Sequence, residues 1–132
     1  MQNIMNLVNF VRGCEPREPE KDLVEPVKRE LEVNLEYGLP STVLLQYDAL
    51  LRSEMLDVIK AYPKDGPRLE LGLWFEMNRQ LTEEAGIPWR GRPGYDWDWF
   101  VDPGFLMAYT NAQREQVIII IRYIIGNVQK IT

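Results

Sequence analysis

The chain has 132 residues, 45% hydrophobic and 27% charged, the ordinary balance of one globular domain (residues 1–132) with a core of its own. A formal net charge of -5 argues against nucleic acid as a partner, because phosphate contacts need a basic patch, and no apolar run approaches the ~20 residues that span a bilayer. With no histidine and a single cysteine, Cys14, an internal disulfide, a Ser-His-Asp triad and a zinc site of the usual N/S kind are excluded within this chain.

Carboxylate chemistry remains: proton transfer, a carboxylate nucleophile, or oxygen ligation of a hard divalent cation. No cofactor is otherwise expected. The N-terminus lacks the basic-then-apolar pattern of a signal peptide, so the expected location is the cytoplasm.

The first element is a strand within Leu7-Val-Asn-Phe-Val-Arg-Gly-Cys-Glu15. Pro16 and Pro19 then break the backbone in a charged turn. Asp22 followed by Glu25 reads as a capping box, with Pro26 in the first helical turn. Val24, Val27, Leu31 and Leu35 recur at helical spacing until Gly38 and Pro40 end the helix. A second strand, Thr42-Val-Leu-Leu-Gln-Tyr-Asp48, is continuously apolar at its start, as expected when both faces are covered. A shorter helix is predicted over residues 53–61, and Pro63, Asp65, Gly66 and Pro67 make the return turn. The third strand is Leu69-Glu-Leu-Gly-Leu-Trp-Phe-Glu76. The order is βαβαβ, and right-handed crossovers make the sheet parallel.

Residues 77–84 read as a helix or helical turn, and residues 86–105 as an aromatic loop punctuated by Gly and Pro, with Trp89, Tyr95, Trp97, Trp99 and Phe100. The last element starts at Thr110, with Gln113 completing a capping box. Its isoleucine run, residues 118–121, admits a strand, but length and the capping box favour a helix. Apolar residues on every side predict that this helix packs on more than one face. The alternating pattern stops where a fourth strand is due, so the expected fold is α/β, the parallel βαβαβ start of an incomplete deformed (β/α) barrel.

Each strand runs into a carboxylate, so Glu15, Asp48 and Glu76 would converge on the C-terminal rim of a parallel sheet, where α/β folds place their chemistry. Carboxylate pairs suit glycosidic chemistry, since one can hold a proton while another stays ionised. The alternative is that each acid ends its strand solvated or caps the next helix. Arg12 and Arg17 flank Glu15, either as a clamp for an anionic substituent or as ion-pair partners of nearby acids. In the aromatic loop, Trp97 and Trp99 are candidate sugar platforms, with Asp98 as a hydroxyl acceptor and Arg90 and Arg92 placed to stack on rings or pair with acids. Cys14 reads as inert packing.

Several of these residues resemble the polysaccharide-deacetylase-like superfamily, and more narrowly a bacterial branch of it. Leu35-Glu-Tyr-Gly-Leu-Pro-Ser-Thr-Val-Leu-Leu45 is similar to the family's helix, "kyGlpaT" turn and second strand. Glu70-Leu-Gly-Leu-Trp-Phe-Glu76 resembles the "EiGnH" stretch of the third strand, and residues 9–15 fall where the first strand carries an acidic motif. The resemblance implies a deformed (β/α) barrel acting on carbohydrate, of which this chain covers the N-terminal portion, with Glu15 and Glu76 as rim acids. Trp74 stands where the first metal-binding histidine is expected, so the metal-dependent deacetylase mechanism does not carry over, and Trp74 becomes a substrate contact instead.

The expected function is hydrolysis of a glycosidic bond or sugar substituent by carboxylates of the full-length protein. Two alternatives stay open. One is a non-catalytic sugar-binding module, which keeps the aromatic loop and tolerates loss of the acids. The other is an assembly protein that forms a homo-oligomer through the C-terminal helix and open strand edges.

Overall fold

In a computed structural model the chain is described over residues 7–14, 18–96 and 106–128. It is a mixed α/β chain, and it separates into two compact units, Met1–Trp74 and Phe75–Thr132.

The first unit holds the parallel sheet in the order β1-β2-β3, with β1 at Leu7–Val11, β2 at Ser41–Leu45 and β3 at Leu69–Leu73. The register Val11↔Leu45↔Leu73 aligns the three C-terminal ends. Residues at alternate positions share a face. Leu7, Asn9 and Val11 therefore lie with Ser41, Val43 and Leu45 and with Leu69, Leu71 and Leu73. Val43 and Leu45 on this face are almost wholly buried. The opposite face carries Val8, Phe10, Thr42, Leu44, Glu70 and Gly72, and there Val8 and Phe10 stay 44% and 54% exposed. The expected two-sided burial of the second strand holds on one face only: the alternating burial of β2 leaves Thr42 and Leu44 half-exposed.

Helix α1, Glu25–Glu36, covers the buried face, where Asn9 Nδ2 donates to Glu30 Oε1. Val27 and Leu31 point inward as their spacing predicts. Its start differs from the expected capping box. A π-helical stretch, Glu20–Val24, leads directly into α1, and no side chain caps either segment. Asp22 instead reaches back, its Oδ2 accepting from Glu18 N at 3.0 Å. Proline explains the irregularity. In a regular helix the Pro26 ring would collide with the Asp22 carbonyl, and the wider π turn falls immediately before it. Pro19 opens this segment rather than breaking it. At the other end Leu39 N donates to Asn34 O and Gly38 N to Leu35 O, closing a Schellman motif around Gly38 at φ +66°.

Between β2 and β3 lie a four-residue helical turn, α2 at Tyr47–Leu50, and helix α3 at Ser53–Lys60. Met55 and Ile59 of α3 are buried, one turn apart, and α3 packs against the π-helical stretch.

In the second unit, α4 at Arg79–Glu84 packs against α5 at Asn111–Val128, and a 3-10 turn spans Leu106–Ala108. Asn78 caps α4, its Oδ1 accepting from Leu81 N at 2.8 Å. Asn78→Ala is expected to lower stability by about 1 kcal/mol, read as a shift in the urea midpoint without a change in slope. The Thr110–Gln113 capping box of α5 is present in both directions, Thr110 N to Gln113 Oε1 at 3.0 Å and Gln113 N to Thr110 Oγ1 at 3.4 Å. Helix α5 does not bury itself on several faces as its composition predicts. Val117 and Ile121 are buried, one turn apart, while Ile119 and Tyr123 are 64% and 71% exposed. No described helix is long and apolar enough to cross a membrane.

Candidate functional site

The C-terminal ends of β1 and β2 carry a compact polar cluster. Beyond β1 the chain continues as Arg12-Gly13-Cys14, and beyond β2 as Gln46-Tyr47-Asp48. Gln46 N bonds Val11 O at 2.8 Å and Trp74 N bonds Leu45 O at 2.9 Å, so the ladder persists to the rim and fixes where the next residues leave it. Asp48 does not end the strand as a solvated acid. It lies in α2 and is only 6% exposed. Its Oδ1 accepts from Gly13 N at 3.1 Å and from Ala49 N at 2.9 Å. One carboxylate oxygen thus ties the end of the first strand to the turn after the second.

Burial holds the Asp48 carboxyl above the ordinary carboxylate range, and the Cys14 thiol together with the Gly13 and Ala49 N–H groups acts the other way. Oδ2 is buried and has no hydrogen-bond partner of good geometry among the described residues. The Cys14 thiol lies 3.3 Å from Gln46 Oε1, and Gln46 is fully buried. Cys14 is half-buried, with its thiol in the polar cluster. Arg52 reaches the same place from just before α3, its guanidinium 3.4 Å from Gly13 O. Arg12 is half-buried at the end of β1.

Sequence reasoning missed Gly13, Gln46 and Arg52. Gln46 carried a signal, a polar residue directly after a fully apolar run. Gly13 and Arg52 carried none, because their roles come from contacts made across 35 and 39 residues of chain.

Trp74 follows β3 at the same rim. Its ring meets Phe10 edge-on, with centroids 4.3 Å apart and planes at 62°. Phe10 was not among the expected site residues, although alternation places it on the exposed sheet face. The Trp74 indole Nε1 is buried with no acceptor among the described residues.

Glu15, Trp97, Asp98 and Trp99 lie outside the described residues. Glu76 is half-buried and belongs to the second unit. In that unit the loop arginines do stack on rings: Arg92 sits 4.2 Å from the Tyr95 ring centre and Arg90 sits 5.2 Å from that of Tyr109. Among the described residues no group of His, Cys, Asp and Glu side chains gathers as cation ligands do.

No family model matches the chain, and no curated protein or solved structure matches it either. The resemblance to the polysaccharide-deacetylase-like superfamily rests on the quoted residues alone.

Proposed function

We propose that the first unit is part of the wall of a carbohydrate-active (β/α) barrel and that the rim around Asp48 faces the sugar. The observation that carries this reading is the buried Asp48 carboxyl at the C-terminal ends of parallel strands, with its pKa raised by burial. Such a group holds a proton longer than a solvated acid does, which is what protonation of a glycosidic oxygen or a leaving alkoxide requires. Glu15 is the partner acid in this reading, and hydrolysis of a glycosidic bond or sugar substituent is the chemistry.

Topology supports the barrel. The strands follow one another in space as they do in sequence, so right-handed crossovers lay both connections on one side. A doubly wound sheet would reverse its strand order. The face opposite α1 is apolar at Val8, Phe10 and Leu44, as the inside of a barrel wall is. The exposed Phe10 ring, met edge-on by Trp74, gives that face one flat aromatic surface of the kind sugar rings stack on.

Titration of the full chain with chitotetraose and xylotetraose, followed by tryptophan fluorescence, tests the reading. Saturable binding of at least one sugar is expected, weakened about tenfold or more by Asp48→Asn, which keeps the shape of the side chain. Absence of saturable binding to both, or binding that Asp48→Asn leaves unchanged, would overturn it.

A further inference from the structure

The uncovered face of α5 is self-complementary. At about 100° per residue, Ala112, Glu115, Ile119, Arg122, Tyr123 and Gly126 fall on one stripe, opposite the buried Val117 and Ile121. Ile119 and Tyr123 are mostly exposed, Ile118 on the flank is 38% exposed, and Glu115, Gln116 and Arg122 are also at the surface. Neither Glu115 nor Arg122 makes an ion pair among the described residues.

We propose that this stripe binds the same stripe of a second copy of the chain, the two α5 helices running antiparallel about a twofold axis at Ile119. A twofold axis perpendicular to both helices and lying between them reverses chain direction but keeps each flank on its own side. Glu115 lies four residues before Ile119 and Arg122 three residues after it, on the same flank. In the pair, Glu115 of one copy therefore stands beside Arg122 of the other, offset by one residue, or about 1.5 Å along the axis. The symmetry makes this ion pair twice. On the other flank Gln116 meets Tyr123 by the same arithmetic, giving the phenol a polar partner.

The centre is apolar, Ile119 against Ile119, and the ends are small. Ala112 of one copy lies opposite Gly126 of the other, which lets the helices approach closely. A parallel arrangement has none of this: a twofold axis along the helices exchanges the flanks, so Glu115 meets Gln116 and Arg122 meets Tyr123, and no ion pair forms. Charge complementarity thus selects both a second copy as the occupant and the antiparallel direction.

Sedimentation equilibrium of the full chain up to roughly 100 µM covers the range in which a small interface of this kind populates a dimer. A dimer is expected. Glu115→Arg or Arg122→Glu alone should weaken it at least about tenfold, because each reversal replaces two attractions by two repulsions. The double variant Glu115→Arg/Arg122→Glu should restore it, and Ile119→Glu should leave a monomer. All three positions are exposed, so the variants keep the fold, which circular dichroism verifies. A monomer throughout the range would overturn the proposal, as would a dimer indifferent to single charge reversal or one that the double swap fails to restore.

Discussion

Gly13→Ala is expected to destabilise the folded chain by about 3 kcal/mol, more than an extra methyl group costs at most positions. A Cβ at residue 13 would lie 2.7 Å from Ala49 N, 2.8 Å from Asp48 Cγ and 2.9 Å from the Asp48 carbonyl carbon. Two of these atoms are backbone, so no rotamer change relieves the contact. Moving the turn away would break the hydrogen bonds of Asp48 Oδ1 to Gly13 N and Ala49 N. Gly38→Ala separates steric from conformational effects. Nothing lies within 4 Å of a Cβ there, but φ is +66°, so the expected loss is only about 1 kcal/mol. Urea unfolding of both variants gives the comparison. Equal losses would mean that the close approach at Gly13 relaxes at little cost, and the tight junction of β1 with α2 would then not be a structural constraint.

The contrast between these glycines also marks what the sequence made legible. Gly38 follows a periodic helix and precedes proline, so its role is local and its position announces it. Gly13 follows a strand and is demanded by a turn far along the chain, which no local pattern encodes. The parallel order β1-β2-β3 was legible because each strand is a short apolar run separated from the next by a helical pattern. The π-helical start of α1 was not, since Asp22 and Glu25 have the spacing of a capping box and only the conflict between the Pro26 ring and the preceding turn decides against it. Asp48 was legible as a rim residue but not as a buried one. Reading Gln46-Tyr47-Asp48 as the end of a strand concealed the four-residue turn that carries the acid inward. On α5 the error had the opposite sign. An isoleucine run predicts packing on several faces, but hydrophobicity records what a face prefers to touch, not whether a neighbour is there.

At Asp48 the two shortest substitutions should part company. Asp48→Ala leaves the Gly13 and Ala49 N–H groups buried without their acceptor, and the expected loss is about 3 kcal/mol. Asp48→Asn retains an oxygen for both donors and removes a carboxyl that burial makes reluctant to ionise. It should therefore be far milder, and the difference should depend on pH. Burial raises the folded-state pKa above the unfolded value, so the folded chain binds the proton more tightly. The contribution of the carboxyl to stability is then fully present below the unfolded pKa and is lost as pH rises through the folded one. Stability of the native chain relative to Asp48→Asn should accordingly be greatest in acid and decline toward neutrality, where the asparagine variant gains ground. Urea titrations from pH 3.5 to 7.5 read this directly. A relative stability that rises with pH would mean that the surroundings favour the carboxylate over the acid. Asp48 would then be an anion held by its two N–H donors, unsuited to delivering a proton, and the rim would be left to bind a sugar without protonating it.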